Sequence, residues 1–281
     1  MLTGCVTASS RCGPADVCQD RNMAVCIESV VSADGTRIAF QTQGAGPALV
    51  IVPGALVTLD TYLELAGLLA PDYRVVVIER REYGSSGNGP RPAEFAAQAA
   101  DLAAVLAAVG EPAFAFGHSA GGLVTLEAMR RDASMVRRLA LYEPPVALAG
   151  PPLTPTLEKI RLHMDSGRPE DAIIEFFTAI TDPVPPRAAL QPLADALAFR
   201  APGLVADLEC LTAMDPDIAS WSAIELPTLL LAGEITDPYG TASVDLLQGS
   251  LPDARTVTLP GQRHHPDDVP AVAGALREFF R

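Results

Sequence analysis

Ala113-Phe114-Ala115-Phe116-Gly117-His118-Ser119-Ala120-Gly121 is the stretch on which the reading of the whole chain turns. An apolar run passes through a G-x-S-x-G turn into a segment ending near Arg131, with no spacer between them. The run has the length and composition of a strand buried on both faces, and the segment beyond the serine has helical spacing. A strand entering a helix through so tight a turn needs glycines beside the serine to avoid side-chain clashes. Such a turn is predicted to hold the Ser119 hydroxyl above the sheet, near the N–H groups that open the helix and favour developing negative charge.

The neighbouring sequence repeats the alternation. Continuous apolar runs at 48–52, 74–79, 138–142, 227–232 and 255–259 read as further buried strands, and 60–70, 92–109, 120–131 and 269–280 as helices. Gly110 is placed to cap the second of these helices. Two β-rich runs at 28–33 and 37–42, split by Asp34-Gly35, read as a hairpin and an antiparallel edge. The result is an α/β fold: a mostly parallel eight-stranded sheet covered by helices on both faces. Roughly 84 residues between Tyr142 and Pro227 carry no buried-strand signal but do carry helical segments at 156–164 and 170–180. That length exceeds the usual connection, so 145–226 is expected to be an inserted helical cap on a core made of 28–144 and 227–281. Residues 1–27 lack periodicity and are expected to form a poorly ordered extension.

The 281 residues include 20 Lys+Arg and 34 Asp+Glu, so the formal charge is 20 − 34 = −14. Such a charge repels nucleic acid and anionic lipid surfaces, and the expected partner is a small-molecule substrate. No run approaches the length of a membrane helix. A cytoplasmic monomer or homodimer is expected. Cys5, Cys12, Cys18 and Cys26 crowd the start in no familiar zinc spacing, and Cys210 reads as a small apolar core residue. Leu2-Thr3-Gly4-Cys5 has the form of a lipoprotein cleavage box, but nothing resembling a signal region precedes it, and it is read as accidental or as a trace of a misplaced start.

A serine hydroxyl needs an adjacent base, most often histidine. The chain has four histidines. His118 lies inside the turn and reads as positional or pocket-lining; His163 lies on a helix of the insertion. His264 and His265 follow the last strand, late in the chain where a base would fall, and His264 is preferred.

Val52-Pro53-Gly54-Ala55, Gly84-Ser85-Ser86-Gly87 after Arg80-Arg81, the serine turn, and Leu259-Pro260-Gly261 leading to His264 together resemble the α/β-hydrolase superfamily from about residue 28 onward. Pro53-Gly54 stands where members usually carry His-Gly, and Glu82 where they usually carry Gly. The resemblance implies an oxyanion hole built from the backbone N–H groups of Ala55 and Ala120. It also implies a carboxylate to orient His264. Family position suggests Asp237, one residue beyond the usual spacing, where Thr236 fills the expected slot. Some members, the zearalenone-type lactone hydrolases among them, use instead a glutamate at the end of the neighbouring strand, which is Glu143 here. A carboxylate between an apolar strand and Pro144-Pro145 needs a partner, and Glu143 is preferred.

The expected activity is hydrolysis of a carboxylic ester or lactone of a small, largely apolar substrate through an acyl-enzyme, with no metal or organic cofactor. Leu56, His118, Leu162, Phe176, Phe177 and Trp221, with Leu197 and Phe199, are expected to line the pocket. The charged run Glu79-Arg80-Arg81-Glu82 is expected to brace loops. Thioesterase, perhydrolase and carbon–carbon bond hydrolase activities share the serine and histidine, the last being the leading alternative. A non-catalytic small-ligand receptor is the alternative from another class.

Overall fold

In the computed structural model the sheet begins at the Asp34-Gly35 hairpin, closed by Ser32 and Thr36 backbone bonds. β1 (Cys26–Val31) and β2 (Arg37–Gln43) pair antiparallel across it. β1 lies two residues earlier than expected, because residues 32–36 are taken up by the turn. The structure describes residues 26–281; Cys26 and Ile27, expected to belong to a poorly ordered extension, are the first residues of β1, and 1–25, with the three leading cysteines and the 2–5 box, lie outside the described residues.

β3 (Ala48–Val52), β4 (Arg74–Ile78), β5 (Ala113–His118), β6 (Val136–Tyr142), β7 (Thr228–Gly233) and β8 (Ala254–Leu259) complete an eight-stranded sheet of order β1-β2-β4-β3-β5-β6-β7-β8. β2 is antiparallel to β4, and every pairing from β4 to β8 is parallel. Alternate residues of each strand serve opposite faces. Val50, Val76, Ala115, Leu141 and Leu230 pack toward α2 (Phe95–Val109), α3 (Ala120–Arg131) and α8 (Pro238–Ser250). Leu49, Val77, Phe116 and Leu231 pack toward α1 (Leu63–Leu69) and α9 (Val269–Phe280). Each buried Val, Leu or Phe among them contributes about 1.5–3 kcal/mol of burial. β8 corrects the expectation of a buried last strand: as a sheet edge with one neighbour it leaves 255–258 exposed.

Between β6 and β7 lie α4 (Thr154–Asp165), α5 (Pro169–Ile180), α6 (Arg187–Leu197) and α7 (Ala201–Ala213). Their apolar faces, among them Leu157, Ile160, Ile173, Leu204 and Leu208, join the same core as Phe95 and Leu123. Cys210 is buried within it, and burial pushes its thiol up to about 12. No helix among the described residues is long and apolar enough to cross a membrane.

The charged run after β4 does brace loops. Arg81 pairs with Asp101 and Asp34, and Glu79 accepts from the Ser85 N–H. Glu82 adopts φ 70°, the left-handed conformation that explains why glycine is usual at its position; its carboxylate accepts from Gly89 N–H and pairs with Arg91.

Candidate active site

Ser119 sits between β5 and α3 at φ 52° and ψ −127°, a strained conformation for a residue with a side chain. The turn closes only because of its glycines. A Cβ on Gly121 would lie 2.1 Å from the Val52 carbonyl oxygen, and one on Gly117 would lie 2.7 Å from the Gly122 Cα. The Ser119 N–H donates to the Tyr142 carbonyl at 2.9 Å, tying the turn to β6.

The loop beyond β8 brings His264 to this serine, 145 positions away in the chain. Two bonds hold the loop: Ile235 N–H to the Gln262 carbonyl at 2.9 Å, and the Tyr142 hydroxyl to the Arg263 carbonyl at 2.7 Å. His264 Nε2 lies 2.9 Å from Ser119 Oγ, and Nδ1 lies 2.7 Å from Glu143 Oε2. Glu143, just past β6 at φ 43°, is fully buried, and accepts two further bonds, from Gly233 N–H and from the Thr236 hydroxyl, each at 2.7 Å. Three donors meet the requirement that a buried charge be hydrogen-bonded. A carboxylate only accepts, so the Nδ1 of His264 carries the proton and the Nε2 lone pair faces the serine hydroxyl.

Asp237, the competing carboxylate, is not brought to His264. It precedes α8, and its Oδ1 accepts from the Asp182 N–H at 2.9 Å. Thr236, in the slot expected for an acid, instead donates to Glu143.

His118 is buried with both ring nitrogens occupied. Nε2–H donates to the His264 carbonyl at 2.9 Å, and Nδ1 accepts from the Tyr62 hydroxyl at 2.7 Å, which in turn accepts from Gly54 N–H at 3.3 Å. Burial, reinforced by His264, holds the His118 imidazole well below its ordinary range, so it is neutral. His265 stacks on His118 with ring centroids 6.0 Å apart. His163 lies on α4, 3.9 Å from Asp171 and away from the site.

The loop carrying Ala55 is held on several sides. Arg80 donates to the Gly54 carbonyl at 2.8 Å and to both oxygens of Asp207 on α7 at 2.6 and 2.8 Å. The Tyr83 hydroxyl donates to Asp207 at 2.6 Å and accepts from Leu56 N–H at 3.2 Å. Leu56 is held at φ 58°, and Arg200 donates to its carbonyl at 2.7 Å and to Thr58 Oγ1 at 3.0 Å. Burial works against the Arg80 charge, but Asp207 outweighs it and raises the guanidinium above its ordinary value. Tyr62, Tyr83, Arg200 and Asp207 went unnoticed in the sequence. Asp207 and Glu209, two acids in an otherwise apolar helical run, were the available signal.

A cavity of about 310 Å³ opens over Ser119 and His264. Leu56, His118, Phe176, Phe177 and Leu197 line it, together with Ala55 and Ala120. Leu162, Phe199 and Trp221 do not. Leu162 is 65% exposed, because at about 100° per residue it faces away from the buried Leu157 and Ile160. Phe199 is 70% exposed on the turn between α6 and α7. Trp221 is buried in the core against α3 and α8 and borders a separate groove.

A serine on a strand-to-helix turn, met by a histidine from the loop after the last strand of a doubly wound sheet, is the arrangement of a hydrolase. Residues 49–275 match the profile of the alpha/beta hydrolase family, and the chain belongs to that family. It is 33% identical to the N-formylmaleamate deformylase of Pseudomonas putida over 142 residues, 49% of this chain and about half (52%) of that protein. An alpha/beta hydrolase from Sphaerobacter thermophilus, 33% identical, superposes with a TM-score of 0.77 over 90% of this chain and 100% of its own. The enol-lactonase of Burkholderia xenovorans shares the fold at 21% identity, with a TM-score of 0.72 over 90% and 99% of the two chains.

Proposed function

We propose that the protein hydrolyses a carboxylic ester or lactone through a serine acyl-enzyme. The observation that carries this reading is His264, within hydrogen-bond reach of both Ser119 and Glu143. His264 takes the Ser119 proton as Oγ attacks the carbonyl carbon, and Glu143 stabilises the resulting imidazolium. The carbonyl oxygen becomes an oxyanion received by the backbone N–H groups of Ala55 and Ala120, both of which line the cavity. Collapse of the tetrahedral adduct expels the alcohol with the proton from His264. A water, activated by the same imidazole, then frees the acid and restores Ser119. The helices between β6 and β7 act as a cap, contributing Phe176, Phe177 and Leu197 to an apolar wall.

The identity to a deformylase supports a second reading on the same residues, cleavage of an acyl amide. The test is p-nitrophenol release from short acyl esters, with covalent labelling by a fluorophosphonate. Wild-type turnover and labelling, both abolished in Ser119→Ala, are expected. Turnover that survives Ser119→Ala would refute the mechanism, and labelling without ester turnover would favour the amide.

A further inference from the structure

Charged side chains are scarce around the cavity. Its lining holds two groups with formal charge besides the imidazoles, Asp207 and Arg200. Asp207 is neutralised: Arg80 occupies both its oxygens and Tyr83 adds a third bond. Arg200 is different. Its guanidinium donates only to neutral acceptors, the Leu56 carbonyl and Thr58 Oγ1, and its Nε–H is buried with no partner. No ion pair among the described residues includes it, although acidic residues outnumber basic ones in this chain. A guanidinium has five N–H donors, so three remain unused after those two bonds.

Arg200 is part-buried in a wall that also holds Leu56, Phe176, Phe177, Leu197 and Leu204, and the Phe199 ring, 4.9 Å from its guanidinium, offsets the charge only in part and accepts none of its spare N–H groups, so an anion there would supply what is missing. Apolar surroundings also strengthen its attraction for an anion by lowering the local dielectric. The planar fork of an arginine matches a carboxylate better than any other common anion of that size. We infer that Arg200 is a specificity residue for substrates that carry a free carboxylate in addition to the scissile acyl group, joined to it by an apolar body. The inference rests on Ser119 acting as nucleophile in the same cavity.

A charge-assisted pair of this kind changes affinity by about 10- to 100-fold. Two matched pairs of probes at pH 8 read it on either side of the scissile bond: mono-p-nitrophenyl glutarate against p-nitrophenyl pentanoate, and 4-acetoxybenzoate against phenyl acetate. The wild type is expected to favour the anionic member of at least one pair by about tenfold or more in kcat/KM, through KM. Arg200→Gln abolishes that preference and Arg200→Lys restores part of it. Arg200 also clamps Leu56 and Thr58, so its loss slows neutral esters as well; the ratio within a pair is the quantity that a purely structural role leaves unchanged. Binding supplies a second readout that does not need turnover. Ser119→Ala is expected to bind monomethyl glutarate by calorimetry, and Ser119→Ala/Arg200→Gln is not. A wild type indifferent to the carboxylate in both pairs, or a preference that survives Arg200→Gln, overturns the inference. If no ester is turned over at all, the ester reading fails and the calorimetric pair alone decides the carboxylate site.

Discussion

Replacing Glu143 by glutamine changes one oxygen to an NH₂ in a fully buried position, and the hydrogen-bond inventory dictates the outcome. The amide oxygen still accepts from the Gly233 N–H, and the Thr236 hydroxyl can rotate to accept from the new NH₂. His264 has no such freedom. Its Nδ1–H would meet another donor at the present 2.7 Å, so the imidazole moves its proton to Nε2, where it faces Ser119 and cannot accept. Wrong-tautomer substitution in a triad lowers kcat by about 10⁴-fold, or about 5.5 kcal/mol of barrier. Glu143 does not line the cavity, so KM stays close to that of the wild type. Steady-state p-nitrophenyl ester hydrolysis by wild type, Glu143→Gln and Asp237→Asn, with thermal melts to establish folding, measures this. Asp237→Asn keeps its side-chain acceptor for the Asp182 N–H and is expected to remain within a few-fold of wild type. A folded Glu143→Gln within about tenfold of wild-type kcat, or a larger loss in Asp237→Asn, refutes the reasoning.

Other outcomes follow from the same contacts. Asp207→Ala strands the Arg80 guanidinium, whose pair with Asp207 is nearly inaccessible to solvent, and is expected to cost about 3–5 kcal/mol by urea unfolding while loosening the Ala55 loop and lowering kcat. His118 is neutral in the fold because its proton affinity is depressed from the ordinary 6.5. Its contribution to stability is therefore complete above pH 6.5 and is lost as pH falls from there toward the folded-state value, at about 1.4 kcal/mol per pH unit. Unfolding titrations between pH 8 and pH 5 should show that slope, and His118→Gln should flatten it. Trp221→Ala is expected to destabilise by about 3–5 kcal/mol with KM unchanged, because the side chain belongs to the core and not to the cavity. Leu162→Ala, at an exposed position, should stay within about 0.5 kcal/mol of wild type.

The sequence by itself determined the alternation of strands and helices, the serine turn, the late histidine and the length of the insertion. The first two depend on physics acting within about ten residues, and the last two on order and length along the chain. Side-chain periodicity distinguishes strands from helices, and the clash that a Cβ at Gly117 or Gly121 would suffer is a property of one turn. The tertiary structure decided which carboxylate meets His264. Glu143 and Asp237 both lie in loops that follow buried strands, and the choice rests on where β6 and β7 set those loops against His264, 121 positions from Glu143. The same limit hid the Arg80–Asp207 pair, 127 positions apart, and sent Leu162 and Trp221 to the wrong side of the cap. Which face an inserted helix turns toward a cavity is settled by packing against distant elements, and no local pattern records it.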